Sequence, residues 1–310
     1  MMWSVSASKA FFQCPKKWYY QNVFATSRTK NPERKEAYLL KHLQSINAWR
    51  GKLVDQVITK FIVPRLNKKQ EIDASKTLEY ANALMESQLT FAKRRMYRNT
   101  GVKTSDCNYC ALSEFEGGNS LSEESLNRTR EEMANSLLNL INSRLLIEIA
   151  ADGTYLVAQR PLQFNFAEAS IRCIPDLIVF FIDKPPLIVD WKVEALQYRE
   201  HWLQLGIYGV ALSRTPPHKD FPEKCRSTTA DPTRIALMEF QLLRNQEIKY
   251  AITDEDITNI EDYIYLSSKR MLKMVDGRRE PEDIIRVLPK AKSPVTCLGC
   301  KFKRMCWMEN

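Results

Sequence analysis

The sequence predicts an α/β fold, a mixed sheet flanked by helices with a helical insertion ahead of it. Three observations predict it. Before Gly153 apolar residues recur at helical spacing. Beyond it, short runs rich in Val, Ile, Phe and Tyr alternate with turns. One helical stretch, 196–213, then separates those runs from a further strand pair.

In chain order, residues 4–24 read as a short helix entered through Ser6 and Ser8, with Phe11, Phe12, Trp18 and Tyr19 on its apolar face. Residues 34–63 carry Leu39, Leu40, Leu43 and Ile46, then Leu53, Val54, Val57 and Ile58, at helical intervals, and 75–98 does the same from Leu78 to Met96. The stretch 99–122 is polar and holds Gly117-Gly118-Asn119-Ser120, a loop. Ser122 caps a helix to residue 150, with Ser125 in its first turn and Leu137, Leu138, Ile141, Leu145 and Leu146 facing a core. Strands are predicted at 154–160, 162–168, 170–182 and 186–193, with a turn at Asp183-Lys184-Pro185-Pro186. After the 196–213 helix and a Pro-rich loop at 215–233, Arg234–Leu243 pairs with Glu247–Ile252. Thr253 with Asp256 then opens a helix to Val275, and the tail from Gly277 reads as basic loop. No internal repeat is present. The whole of 1–310 reads as one domain: an N-terminal helix (1–30), a helical region (31–150), a core (151–275) and a cysteine-bearing tail (276–310).

Composition narrows the function classes. A chain of 310 residues with 44% hydrophobic and 27% charged content is long enough for a substantial core. Only 9 glycines are present, and neither a P-loop nor a GxGxxG fingerprint occurs, which argues against nucleotide-phosphate cradles and helicase motors. The net charge of +9 suits a polyanionic partner. No apolar run reaches the roughly 18 residues of a membrane span. The start, MMWSVSASKAFFQCPKKW, lacks a signal-peptide pattern, so a cytoplasmic protein with no membrane partner is expected.

The stretch richest in chemistry begins at Ile174-Pro175-Asp176, continues through Ile188-Val189-Asp190-Trp191-Lys192, and ends with Gln204 and Tyr208. Asp190 and Lys192 are two apart on a strand and project to one face. Gln204 and Tyr208 are four apart on a helix and share a face. Two carboxylates suit a hard cation such as Mg2+ or Mn2+, and the Val193 carbonyl can complete its shell. With an amine to orient or activate water, this is the minimum kit for phosphodiester hydrolysis. Taken singly, either aspartate reads as a polar strand end and Gln204 and Tyr208 as helix-surface positions around Leu205 and Ile207; the ordered set is what points to chemistry.

Eight cysteines are too sparse for a secreted disulfide scaffold. Cys297, Cys300 and Cys306 cluster among Lys301, Lys303 and Arg304, and three thiolates need a fourth partner for zinc or a four-iron cluster. Cys14, next to Pro15 and followed by Trp18-Tyr19, is the candidate. Cys107 and Cys110 form an isolated CxxC in a polar loop, read as incidental unless it replaces Cys14 beside Cys297 and Cys300. Cys173 reads as a buried strand thiol and Cys225 as a loop thiol, while His42, His201 and His218 lack metal spacing.

These patterns resemble the PD-(D/E)XK nuclease superfamily, and within it the RecB-like group in which a DxK motif precedes a QxxxY helix. Asp176, Asp190, Lys192, Gln204 and Tyr208 match position by position. The resemblance implies a restriction-endonuclease-like sheet, Mg2+ or Mn2+ held by Asp176 and Asp190, and a further ligand on an early helix. There Gly51-Lys52-Leu53-Val54-Asp55 occupies the place where the group usually carries histidine, so Asp55 is the auxiliary metal ligand, with a shift in metal preference. The cysteine pattern resembles the iron–sulfur members, which include the AddB nuclease domain and the CRISPR-associated adaptation nuclease. It implies a 4Fe-4S cluster on Cys14, Cys297, Cys300 and Cys306 that joins the chain ends, with Zn2+ as the alternative. The resemblance covers residues 4–24, 48–58 and 170–306.

The expected activity is metal-dependent cleavage of DNA, single-stranded or at ends, in repair, recombination or mobile-element defence, with a helicase or other defence or repair protein as partner. Basic stretches at Lys93-Arg94-Arg95 with Arg98, at Lys290–Lys292 and at Lys301–Arg304 suit backbone contact, and Phe91, Tyr97, Phe302 and Trp307 suit base stacking. Solvated helix faces and cluster-shielding charge account for the same residues equally well. The competing functions are a nucleic-acid-binding subunit whose site no longer cuts and a zinc-stapled structural subunit.

Overall fold

A computed structural model describes residues 1–99, 101–193, 201–215, 231–275 and 280–307. His218, Cys225, most of the 215–233 loop and the first turns of the 196–213 helix lie outside them. The chain forms two compact units, one made of 1–44, 165–171 and 261–310, the other of 45–164 and 172–260.

The N-terminal segment is a two-residue strand, β1 (Met2–Trp3), then α1 (Val5–Gln13), α2 (Pro15–Tyr19) and a π-turn at Tyr20–Phe24. The expected start at Ser6 and Ser8 is displaced: Ser4 accepts from the Ala7 amide, while Ser8 is buried and shares a hydrogen bond with the Tyr263 hydroxyl. Pro15 stops α1, because its ring cannot follow a helical turn and it brings no N–H. Cys14 thereby becomes the N-cap of α2, its sulfur accepting from the Lys17 amide at 3.3 Å.

The predicted 34–63 helix is two helices. α3 (Pro32–Lys41) ends at His42, and Ser45 caps α4 (Ile46–Val57), which runs through a π-stretch at Ile58–Ile62 into α5 (Val63–Asn67). A turn can break a helix without breaking its apolar phase, which is why the spacing read straight through. α6 (Ala74–Lys93) follows, with a 3-10 turn at Met96–Arg98, and the expected 99–122 loop contains a single-turn helix, α7 (Ser113–Glu116). Ser122 caps α8 (Glu123–Ile141) as expected, but Ser143 caps a separate α9 (Arg144–Asp152).

β2 (Tyr155–Ala158) and β3 (Leu162–Phe166) fall where expected. The predicted 170–182 strand divides at Ile174-Pro175-Asp176 into β4 (Ala169–Cys173) and β5 (Leu177–Phe180), because Pro175 removes a ladder donor. Next come β6 (Leu187–Lys192), α10 (Trp202–Arg214), β7 (Ala236–Gln241), β8 (Gln246–Tyr250) and α11 (Asp254–Met274). Thr253 and Asp256 exchange the reciprocal bonds of a capping box at the start of α11. The tail is not loop but three short helices, α12 (Pro281–Val287), α13 (Pro294–Leu298) and α14 (Lys303–Trp307), each opened near a proline or lysine rather than by an apolar period.

The larger sheet has the order β2-β5-β6-β7-β8, and only β6 and β7 run parallel, as the intervening α10 crossover requires. A smaller sheet has the order β1-β4-β3. This is a mixed α/β architecture consistent with a restriction-endonuclease-like fold. Leu53, Val54 and Val57 of α4, Leu137 of α8 and Val189 and Phe240 of the sheet are fully buried in one apolar cluster. Each such side chain is worth about 1.5–3 kcal/mol of burial. A buried amide network holds α4 to α6: the Trp49 indole donates to Gln88 Oε1 at 2.8 Å, and Gln88 Nε2 donates to Gln56 Oε1 at 2.7 Å. The helix that carries Asp55 is therefore fixed by both apolar and polar contacts.

The aromatic residues read as base-stacking platforms are mostly structural. Phe302 is fully buried and stacks on Tyr20 at 5.2 Å. Tyr97 is buried and donates to Glu116, which also pairs with Arg98; Phe91 packs on the core beside Tyr109. Lys301 also turns inward, donating to the Lys41 and Leu43 carbonyls, and burial lowers its pKa to about 8. Trp307 alone of the four is half exposed, with the Lys303 amine over its ring. Burial of the ring outweighs exposure even where basic neighbours surround it.

Candidate active site

β5 and β6 are antiparallel neighbours, so the residue entering β5 and the residues leaving β6 meet at one end of the sheet. Asp176 enters β5; Asp190 and Lys192 lie on one face at the end of β6. α10 lays Gln204 and Tyr208 over that end, and α4 supplies Asp55. Together with Val193, these residues line a single open cavity of about 400 Å³. All seven residues singled out for this chemistry are thus brought together. Leu205 and Ile207 are fully buried, as their place in α10 requires.

The carboxylates are held individually. Asp176 Oδ2 accepts from the Trp191 amide at 2.9 Å and its Oδ1 from Gln159 Nε2 at 3.0 Å. The same Gln159 nitrogen donates to Asp55 Oδ1 at 2.8 Å. Asp190 is 3% exposed, pairs with the Lys192 ammonium, and accepts from Gln204 Nε2 at 3.2 Å; that nitrogen also donates to the Tyr208 hydroxyl at 2.8 Å.

Electrostatics mark the cavity as short of positive charge. Burial, together with the charges of Asp190 and Asp55, pushes the Asp176 carboxyl well above the usual range. Burial, with Asp190 adding to it, raises Asp55 to about 6. Burial works against the Lys192 ammonium, but Asp190, Asp176 and Glu239 outweigh it and the net shift is upward. Lys192 is therefore a persistent cation. Burial, and then the charges of Asp190 and Asp176, keep the Tyr208 hydroxyl protonated.

Three acids around one water-accessible cavity, two of them with raised pKa, have the oxygen donors and the uncompensated negative charge that suit a hard divalent cation. Among the described residues no three His, Cys, Asp or Glu side chains stand in a ready-formed metal arrangement. The Gln159 amide donates to two of the acids at once and so links them.

Four participants were not foreseen. Gln159 follows β2 and offers no residue-type signal. The Trp191 contact is made by backbone. Lys52, three residues before Asp55, also lines the cavity, and burial lowers its pKa. Glu239 is 1% exposed and registers with Asp190 across the parallel β6–β7 pair. A glutamate inside the apolar run Leu237–Phe240 was the available sign of it.

The cysteines form a second locus. Cys14, Cys297, Cys300 and Cys306 line one cavity of about 20 Å³ with Lys17, Tyr20, Phe302 and Lys303. All four are free thiols, and burial raises Cys300. That volume admits little more than one water-sized sphere. Cys110 is fully buried in the other unit's apolar core, Cys107 is exposed, and Cys173 is a buried strand thiol whose pKa burial raises to about 12. His42 caps the end of α3 against the Tyr38 ring, and His201 sits at the start of α10.

A mixed sheet that delivers two acids and a lysine from antiparallel neighbours to one cavity is an arrangement suited to a nuclease. The chain belongs to the PD-(D/E)XK nuclease superfamily, whose family model matches residues 2–307 and so runs through both units. The curated proteins contain no match. Among solved structures, the crystal structure of SSO0001 aligns over 73% of this chain and 96% of its own, at 13% identity and a TM-score of 0.30, a likeness too loose to bear on the site. Among the described residues no helix is long and apolar enough to cross a membrane.

Proposed function

We propose that the protein is a Mg2+- or Mn2+-dependent deoxyribonuclease of the RecB-like group, acting on single-stranded DNA or DNA ends in repair, recombination or mobile-element defence. The observation that carries the reading is the convergence of Asp176, Asp190 and Lys192 on one cavity. The two units together constitute the nuclease domain.

In this reading Asp176 and Asp190 hold the cation, with Asp55 and the Val193 carbonyl as further oxygen donors. The bound cation supplies charge neutralisation on the phosphate and acidifies the attacking water. Lys192, already charged, orients that water and opposes the negative charge that develops on the phosphate. Gln204 holds Asp190 and Tyr208 in fixed rotamers, and the Tyr208 hydroxyl positions the substrate by donating a hydrogen bond to a phosphate oxygen. The net charge of +9 favours encounter with the polyanion. Unwinding falls to a separate helicase or defence protein.

The four cysteines hold a 4Fe-4S cluster in this reading. Four thiols can equally hold a single Zn2+, which is the second reading. Absorbance near the visible blue in the purified protein separates the two. The activity is tested by incubating 5′- and 3′-labelled single-stranded DNA with Mn2+, alongside Asp190→Ala and Lys192→Ala. Cleavage by the parent alone supports the nuclease. Equal cleavage by all three ends the assignment of this site, and binding without cleavage supports a non-cutting subunit.

A further inference from the structure

We infer that Gln159 is a positioning residue of the candidate metal site, a clamp that ties the Asp55 and Asp176 carboxylates to one amide and so orients them toward a divalent cation. The inference rests on the nuclease reading above and adds a residue to it.

Among the described residues, Gln159 is the group that hydrogen-bonds to both acids. Its Nε2 donates to Asp55 Oδ1 at 2.8 Å and to Asp176 Oδ1 at 3.0 Å, which uses both amide hydrogens. Its backbone N–H donates to the Asp176 carbonyl at 3.1 Å, so main chain and side chain hold the same aspartate. With the Trp191 amide on Oδ2, the Asp176 carboxylate is oriented through both oxygens. Packing brings α4 and the start of β5 together, and the bridging amide fixes how the two carboxylates are turned within that frame.

The backbone adds an independent sign. Gln159 has φ of +52°, in the left-handed region that glutamine rarely adopts. Such a conformation persists where the surroundings over-determine it, and here it turns the side chain from the end of β2 onto the acids. The residue type also fits. A carboxylate at this position would bring a third negative charge against Asp55 and Asp176, and a lysine or arginine would compete with a cation for their oxygens. A neutral amide donates to each acid once and leaves Asp55 Oδ2 and the remaining lone pairs for metal.

Isothermal titration of Mn2+ into the full chain tests this without reference to cleavage. The variants are Gln159→Gly, which accepts the positive φ and removes only the clamp, Gln159→Asn, which tolerates that φ but is one methylene too short to span both acids, and Asp176→Ala. Thermal unfolding confirms that each is folded. The parent binds Mn2+, Asp176→Ala loses it, and both Gln159 variants bind about 10-fold or more weakly, the usual effect of removing a group that orients a metal ligand. Binding by Gln159→Gly within twofold of the parent, with Asp176→Ala still defective, overturns the clamp and leaves the nuclease reading standing. Tighter binding by Gln159→Gly would show the amide competing with the cation and overturns it equally. A parent that binds no Mn2+ overturns both.

Discussion

Lys192 rests its ammonium on the carboxylate of Asp190, two residues earlier on the same face of β6. A cation that engages Asp190 draws on the same oxygens, so the ion pair and the metal compete, and the ammonium is freed toward whatever anion the cation brings. Lys192→Ala should therefore leave Mn2+ affinity unchanged or slightly improved while cleavage falls by about 10²–10³, the cost of losing one preorganised cationic donor. Titration calorimetry and single-turnover cleavage of labelled DNA separate the two effects. A parallel loss of binding and cleavage would show that Lys192 builds the site rather than acting in it.

Asp55 makes stability depend on pH in an uncommon direction. Its pKa rises from 3.8 to about 6 on folding, so between those values the folded state binds a proton that the unfolded state has lost. Stability is highest below the unfolded pKa and falls as pH rises toward 6. The full shift is worth about 3 kcal/mol. Without divalent metal the protein should thus melt at a higher temperature at pH 5 than at pH 7.5. Asp55→Asn should flatten that difference, and Mn2+ should stabilise the parent far more at pH 7.5 than at pH 5. Calorimetric melts with and without chelator check all three.

Local patterns made the heart of the site legible and long-range pairing concealed its margins. Asp190 and Lys192 follow from the two-residue period of a strand, and Gln204 and Tyr208 from the four-residue spacing of a helix, so each pair could be read without the fold. Gln159 and Glu239 enter through the β2–β5 and β6–β7 pairings, which no local spacing announces. The breaks at His42 and Asn142 were hidden because the apolar phase carries across them, although Ser45 and Ser143 were visible as caps. Basic neighbours left base stacking open as one reading of Phe302 and Tyr97, and burial of both rings decides against it.

The cysteine locus predicts a selective effect. Cys14 is fixed as the cap of α2 and the other three sit on or beside α13 and α14, so one bound group would tie separate short helices together. Cys300→Ser should abolish the bound group, read as lost visible absorbance for a cluster or lost zinc by elemental analysis. It should also lower Tm by about 3 °C or more, equivalent to roughly 2 kcal/mol in a chain of this size. Cys107→Ser, at an exposed thiol remote in sequence from these helices, should change neither. Loss of the bound group in Cys107→Ser would reinstate the CxxC pair as ligands.

Two glycines should respond oppositely to the same substitution. Gly206 lies between Gln204 and Tyr208 on α10, and a β-carbon there would stand 2.7 Å from Ile260 Cδ1, inside contact distance. Gly206→Ala should cost about 1 kcal/mol, the overpacking at the Ile260 methyl set against the helical preference of alanine. It should also slow cleavage, because any shift of α10 moves the amide and hydroxyl that face Asp190. Ile260→Val removes the obstructing methyl, so the double variant should regain much of both losses, a coupling that a simple helix-propensity effect would not produce. Gly51, in α4 beside the same cavity, has nothing within 4 Å of the corresponding position. Gly51→Ala should stabilise α4 by about 0.5–1 kcal/mol. Chemical denaturation of the parent, Gly51→Ala, Gly206→Ala, Ile260→Val and the double variant decides it, and a Gly206→Ala protein as stable as Gly51→Ala would mean that Ile260 gives way to the 2.7 Å approach at little cost.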